Sequence, residues 1–126
     1  MADRERGKEV VGAMFGGVPP APSPAFADIM DLTIGYLFGE IWSRPGLARR
    51  DRSLATVSVL AAQGHEPELK IHLKGALANG LTPVELREVM IHLAHYAGWA
   101  TAMSGLRALE SVMGDQGLTF PDAPSE

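Results

Sequence analysis

The stretch TPVELREVMIHLAHYAG, residues 82–98, decides the fold because it specifies a helix that is apolar around most of its circumference. Thr82 is a good N-cap, Pro83 suits the first helical position, and Glu85 completes a capping box. A surface helix of a small monomer shows only one apolar stripe. We therefore expect cover on several sides, part of it from another subunit, over Val89, Met90, Ile91, Leu93, Ala94 and Ala97.

The rest of the chain predicts more helices and no defensible strand pair. Apolar residues at three- and four-residue steps favour a helix in FADIMDLTIGYLFGEIW. We expect further helices in RERGKEVVGAMF, in RRDRSLATVSVLAAQG, ended by Gly64, in PELKIHLKGALANG, ended by Asn79-Gly80, and from Trp99 to Met113. The segment ATVSVL alternates as a strand does, but its alanine and leucine content and its helical neighbours favour helix. The fold class is therefore all-α, a helical bundle of about six helices.

Chain length predicts one domain over residues 1–126, with three parts. Residues 1–25 form a short helix and a Pro-rich arm, since GGVPPAPSPA at 16–25 cannot be helix. Residues 26–115 form the helical core, and 116–126 a frayed tail.

The amino-acid composition narrows the classes of function that the chain could have. The chain has no cysteine, which excludes disulfides and thiol chemistry and fits a reducing compartment. Its 11 basic and 15 acidic residues show no basic face, so we expect no nucleic-acid partner. No apolar stretch could span a bilayer and the charged start is no secretory signal. We expect no membrane partner and a cytoplasmic protein.

The residues able to transfer protons cluster in two histidine-bearing segments. His72 lies in the middle of an apolar helix segment, and His92, Tyr96, Trp99 and Met103 share one helix face, since they fall at i, i+4, i+7 and i+11. A histidine on an apolar helix face is more often a core residue, and tryptophans more often pack. His92 and His95 lack an obvious third ligand, so we expect no metal site.

FGEIWSRPGL, residues 38–47, offers a second group of functional side chains. Arg44 follows Glu40 and Trp42, and Arg52 opens the next helix, so the two arginines could form a cationic corner for a carboxylate. The alternative is that they form plain surface ion pairs with nearby acids.

Taken in order, these segments resemble the carboxymuconolactone decarboxylase family. The resemblance runs from about Tyr36 to Met113 and includes Glu-x-Trp-x-Arg-Pro-Gly, a histidine followed eight residues later by glycine, and His-Leu-x-x-Tyr-Ala-Gly. It implies the alkylhydroperoxidase-like fold. Related reductases carry Cys-x-x-Cys before the histidine that matches His72; here those positions are His65 and Glu68, so we expect no thiol peroxidase activity.

The resemblance also implies an activity: decarboxylation of 4-carboxymuconolactone to 3-oxoadipate enol-lactone, in the β-ketoadipate pathway of aromatic-compound catabolism, by trimers or hexamers. That substrate is its own electron sink, so no cofactor is needed. The protein must anchor carboxylates, stabilise an oxyanion and deliver a proton.

Each candidate residue is assigned a role in that reaction. The anchors are Arg44 and Arg52, and either His72 or His92 could serve the oxyanion and deliver the proton, His72 being favoured. Alternatives are isomerisation, cyclisation or hydrolysis of a related acid, or a non-catalytic oligomeric binding subunit. The supporting residues are Tyr96, which orients His92 or shares the donor role, and Glu40, which orients a histidine or an arginine. Trp42 and Trp99 exclude water.

Overall fold

A computed structural model of the chain describes residues 3–17 and 19–121, and all regular structure in this part is helical, as predicted. The described part holds six α-helices and divides into two compact units, one ending at Arg52 and one starting at Ser53. None of its helices combines the length and apolarity that crossing a bilayer requires. The one-domain interpretation stays a prediction. The helices are α1 (Arg4–Phe15), α2 (Ala27–Leu32), α3 (Arg49–Gln63), α4 (Glu66–Ala78), α5 (Pro83–Leu93) and α6 (Trp99–Asp115).

In the first unit, α2 continues into a π-helical segment, Thr33–Ile41. The Trp42 N–H donates to the Leu37 carbonyl five residues back at 2.8 Å, the hydrogen-bond pattern of a π-helix. The Ser43 hydroxyl donates to the Phe38 carbonyl at 2.9 Å at the segment's end. The predicted helix over FADIMDLTIGYLFGEIW is therefore confirmed, and its hydrogen bonds follow the π-helical pattern from Thr33 to Ile41.

Helix α1 packs against the π-helical segment at backbone distance. The Asp3 N–H donates to the Gly35 carbonyl at 2.9 Å. A Cβ added to Gly7 would collide with the Ile34 carbonyl, and one added to Gly39 would collide with the backbone of Asp3. Because glycine has no Cβ, these two positions permit the close approach.

Apolar side chains seal this contact between α1 and the π-helical segment. The Phe38 ring lies 5.7 Å from the Phe15 ring and 5.5 Å from the Trp42 ring, measured between centroids. These are the separations of favourable aromatic pairs. The contact therefore forms a small core of its own, composed of Val10, Val11, Met14, Phe38 and Trp42.

The second unit has a larger core between its helices. A hydrogen bond of 2.9 Å from the Asn79 amide to the fully buried Ser53 hydroxyl fastens the end of α4 to α3. A Cβ on Gly105 of α6 would collide with the Met90 sulfur of α5, so these helices also approach closely. The core consists of Val57, Ala61, Leu69, Leu73, Ala76, Leu81, Leu86, Met90, Ala108, Leu109, Val112 and Met113.

Helix α5 begins as predicted but ends earlier. Thr82 and Glu85 form the complete capping box, with hydrogen bonds of 3.1 and 3.0 Å. The helix ends at Leu93, turn residues 94–97 follow, and Gly98 has a φ of 111° before α6 begins. The prediction that His92, Tyr96, Trp99 and Met103 share one helix face is therefore wrong, because the turn breaks the helical periodicity.

The prediction of a frayed tail is also partly wrong, since residues 116–121 fold back onto the second unit. Phe120 packs against the core of the second unit, and the Arg87 guanidinium lies 4.9 Å from the centre of its ring. The Leu118 N–H donates to the Met113 carbonyl at 2.8 Å. Residues 122–126 of the predicted tail, like Val18 of the Pro-rich arm, lie outside the described part.

The two glycines of α1 generate a paired test. Gly7→Ala should lower the free energy of unfolding by about 1–3 kcal/mol, because the added methyl meets a backbone carbonyl that cannot move aside. Gly12→Ala, in the same helix with open space at its Cβ, should raise it by up to about 1 kcal/mol through helix propensity. Urea unfolding followed by circular dichroism measures both, and equal effects of the two changes would contradict the close approach.

Candidate active site

A cleft of about 640 Å³ lies in the first unit, between α1 and the loop that joins the π-helical segment to α3. Its volume is in the range of small-ligand sites. Three guanidinium-bearing residues line it, Arg6 from α1, Arg44 from the loop and Arg49 at the start of α3, against the single carboxylate of Glu9. We call it the arginine cleft; its surplus of positive charge suits an anion.

The arginines of this cleft are little neutralised within the chain. Across residues 3–17 and 19–121, neither Arg44 nor Arg49 forms an ion pair. Arg6 has a long pair with Asp3, 3.6 Å between Nε and Oδ2, and both side chains are exposed. Such exposed pairs contribute little energy. The three guanidinium groups can therefore serve an incoming ligand.

Arg52 holds the loop of the cleft in shape. Its Nε donates to the Leu47 carbonyl at 3.2 Å, and its Nη2 donates to the Arg44 carbonyl at 3.1 Å. The guanidinium thereby bridges the two ends of the Pro-Gly turn. This geometry makes Arg52 a positioning residue for Arg44.

Glu40 lines an adjoining cleft of about 510 Å³, also within the first unit. Arg6 and Arg44 line this second cleft as well, together with Asp3 and Tyr36. Two guanidinium groups here face two carboxylates, so this cleft is electrically balanced. Glu40 is half-buried beside Arg44, as an orienting carboxylate would be.

Trp42 serves packing and the cleft together. Its side chain is only 7% exposed and belongs to the core of the first unit. The part that remains accessible lines the arginine cleft. The packing and water-excluding interpretations are thus compatible for this residue, because a buried indole gives the cleft a rigid apolar wall.

His72 lies on α4 in the second unit, at the edge of that helix's buried face. The side chain is half-buried, between the core residues Leu69 and Leu73 in sequence, and its Nδ1 is enclosed. Burial lowers the pKa of the His72 imidazole below its ordinary value, because desolvation penalises the charged form. The ring is therefore mostly neutral at pH 7.

His92 and Tyr96 lie together at the end of α5. Their ring centroids are 5.0 Å apart, and Tyr96 is 80% exposed. The Trp99 side chain, 69% exposed, lies 6.1 Å from the His95 ring, whose Nδ1 is 2.9 Å from the Ile91 carbonyl. The structure thus brings His92 and Tyr96 together in the second unit, and Arg44, Glu40 and Trp42 together in the first.

Sequence reasoning missed Arg6 and Arg49. The missed signal for Arg49 is its position, three residues beyond the Pro-Gly pair that ends the motif. Arg6 gives no such signal, because only the packing of α1 places it at the cleft. In the described part, histidines, aspartates and glutamates do not gather into any group of three that could hold a metal ion.

Comparison with known proteins agrees with the sequence resemblance. Residues 27–111 match the model of the carboxymuconolactone decarboxylase family. The chain is 41% identical to the 4-carboxymuconolactone decarboxylase of Acinetobacter baylyi over 91 residues, 72% of this chain and 68% of that one. It is 31% identical to the nitrosuccinic acid decarboxylase of Metarhizium robertsii over 109 residues, 86% and 73% of the two chains. The chain therefore belongs to the carboxymuconolactone decarboxylase family.

Proposed function

We propose that the protein is a cofactor-free decarboxylase of a small dicarboxylic acid, and that 4-carboxymuconolactone is its substrate. The observation that carries the proposal is the arginine cleft, a small-ligand volume with three guanidinium groups against one carboxylate. Two relatives that bear decarboxylase names support the reaction class. The reaction would place the protein in aromatic-compound catabolism by the β-ketoadipate pathway; its expected cytoplasmic location stays a prediction.

The two named substrates share one chemical logic. In 4-carboxymuconolactone, loss of CO₂ from the γ carbon sends an electron pair through the C=C bond into the lactone carbonyl, giving a dienolate. In nitrosuccinic acid, the nitro group on the same carbon accepts the pair as a nitronate. Each intermediate is then protonated on carbon, and each product keeps one carboxylate. The substrate supplies the electron sink, so the protein supplies charge stabilisation and a proton.

The side chains of the first unit suit the anchoring role. Arg44 binds a substrate carboxylate, since guanidinium and carboxylate pair with charge-assisted hydrogen bonds. Glu40 orients that arginine, and Arg52 fixes the loop that carries it. Trp42 forms an apolar wall that keeps water from the departing carboxylate.

The side chains of the second unit suit the proton chemistry. His72, kept neutral by burial, donates a hydrogen bond to the developing oxyanion, as a neutral imidazole can. His92 delivers the proton to carbon, and Tyr96 beside it orients the ring or shares the transfer. Trp99 limits access of water. We assign the proton to His92, whose ring lies beside that of Tyr96, and the oxyanion to His72, which burial keeps mostly neutral.

A second substrate class has its own support. The relative named for nitrosuccinic acid is 31% identical and is matched over 86% of this chain, so a nitro-activated dicarboxylate is the runner-up substrate. The same arginines and histidines would serve it, because the nitronate and the dienolate both carry on oxygen the negative charge that the departing CO₂ leaves behind.

We also propose a homo-oligomer, a trimer or hexamer. On α5, whose apolar circumference suggested a partner, Ile91 remains 44% exposed within the chain. Further large apolar side chains are exposed on α2 and its flanks. A solvent-exposed stripe of this kind is typical of an interface. The stripe consists of Phe26, Ile29, Leu32 and Tyr36.

The activity has a direct test. Ultraviolet absorbance should show the purified protein converting 4-carboxymuconolactone to the enol-lactone with release of CO₂, and nitrosuccinate more slowly or not at all. Preincubation with EDTA followed by desalting should leave kcat unchanged, because the electron sink is the substrate. A different product would point to isomerisation, cyclisation or hydrolysis. No turnover of any related acid would favour a binding subunit.

The role of His72 is tested by substitution and pH together. His72→Ala should lower kcat by about 10²–10³-fold, the effect of removing an oxyanion donor. His72→Gln should retain part of the activity, because its amide nitrogen can replace Nε2. Since burial lowers the His72 pKa, the ring is mostly neutral at pH 7 and above, and the kcat profiles of wild type and His72→Gln should have the same shape from pH 7 to 8.5. A decline that only wild type shows would mean that the imidazolium form is active.

Assembly is tested by sedimentation equilibrium. We expect a mass three or six times the 13.4 kDa of the chain at micromolar concentration, because an obligate interface buries a large apolar area. Replacing Ile29 by Glu should shift the mass downward, whereas Lys8→Glu, on the polar side of α1, should not. A single 13.4 kDa species in the wild type would refute the oligomer.

A further inference from the structure

Helix α1 brings a charged group to the arginine cleft from outside the family match. The matched region is residues 27–111, and Arg6 precedes it by 21 positions. Arg6 nevertheless lines both clefts of the first unit, the arginine cleft and the balanced cleft that holds Glu40. Its position is fixed from both sides, since its N–H donates to the Asp3 carboxylate at 3.0 Å and Gly7 abuts the π-helical segment.

Arg49 approaches the same space from the opposite wall. It is the first residue of α3, so it also lies where the helix macrodipole favours an anion. Arg6 and Arg49 therefore flank Arg44 around one cavity. A single carboxylate would occupy one or two of these guanidinium groups, and three are enough for a dianion.

We infer that Arg6, together with Arg49, forms a subsite for the carboxylate that stays in the product. The inference rests on the proposed decarboxylation of a dicarboxylate. Both named substrates carry a retained carboxylate on a side arm, and a helix outside the matched region is where one member could set its own preference. Val10, Ala13 and Trp42 line the same cleft and can contact the carbon chain of a dicarboxylate, which phosphate lacks.

The retained carboxylate has the same charge before and during the loss of CO₂. Contacts to it therefore stabilise ground state and transition state alike, which affects KM and not kcat. This separates Arg6 from residues that touch the reacting atoms. Arg6→Gln should raise KM about 10-fold with kcat within about twofold of wild type, the scale of one partly exposed charge-assisted hydrogen bond.

Binding measured without turnover makes the test independent of the reaction. Isothermal titration with succinate should give a Kd about 10-fold weaker for Arg6→Gln than for wild type. The matched control is Arg4→Gln, two residues earlier on α1. Arg4 pairs with Asp31 at 2.8 Å on the exposed surface and lines neither cleft, so its loss should leave Kd unchanged. Circular dichroism and urea unfolding check that both variants are folded.

The ligand is varied in the same way. Succinamate, with one carboxylate replaced by an amide, should bind wild type more weakly than succinate does, because one of the two charge-assisted contacts is lost. Inorganic phosphate should bind more weakly than succinate.

Several results would overturn the subsite. They are equal succinate affinity in wild type and Arg6→Gln, equal loss in Arg4→Gln, phosphate binding as tight as succinate binding, and no measurable succinate binding by wild type at millimolar concentration. Arg6-dependent binding of succinate by a protein that decarboxylates nothing would support the subsite and refute the proposed function. Decarboxylation with the same KM in wild type and Arg6→Gln would support the proposed function and refute the subsite.

Discussion

The backbone contact between α1 and the π-helical segment is the constraint on which the candidate site depends. Gly7 and Gly39 occupy the points where a Cβ could not fit, and the Asp3 N–H closes the contact on the Gly35 carbonyl. The contact sets the rotation of α1. That rotation buries Val10, Val11 and Met14 and leaves Arg6 at the cleft. A larger residue at either glycine would move the guanidinium together with the helix.

The π-helical hydrogen bonding has a related consequence. Bonds to the fifth residue back widen the turn, so residues four apart stay on one side of the segment. Ile34, Phe38 and Trp42 are spaced in this way, and all three are buried. Glu40 lies between two of them and stays half-buried at the adjoining cleft. Irregular helices of this type are often found at functional sites.

Local signals made most of the fold predictable. The capping box at Thr82 and Glu85, and the stops at Gly64 and Asn79-Gly80, depend only on neighbouring residues, and all are present. The π-helical bonding, the return of Phe120 to the core and the break after Leu93 were not predicted. Each depends on tertiary contacts or on a choice between nearly equal hydrogen-bond patterns.

The same distinction applies to the candidate site. The motif around Arg44 was visible because its residues are consecutive, whereas Arg6 reaches the cleft only through the packing of α1. His72 was visible as a histidine in an apolar helix. Its neutral state was not, because desolvation depends on how deeply the folded chain encloses the ring.

In the proposed decarboxylation, the two carboxylates of the substrate have different roles. One leaves as CO₂ while its electrons move to an oxygen that a neutral imidazole can stabilise. The other stays and serves as the anchor. Arginine suits an anchor because it remains charged at every relevant pH and binds carboxylates with two parallel hydrogen bonds. Neutral histidine suits the oxyanion because it adds a donor without holding the departing carboxylate in place by charge.

Carbon-13 NMR of a labelled lactone tests this central claim most directly. 4-Carboxymuconolactone labelled in both carboxyl groups would be mixed with the protein and followed over time. The labelled carboxyl group attached to the γ carbon should appear as bicarbonate and CO₂, one equivalent for each product formed, while the labelled side-arm carboxylate stays in the enol-lactone. Disappearance of the lactone with both labels still in organic acids would contradict decarboxylation. Release of the side-arm label would contradict the assignment of the anchored carboxylate.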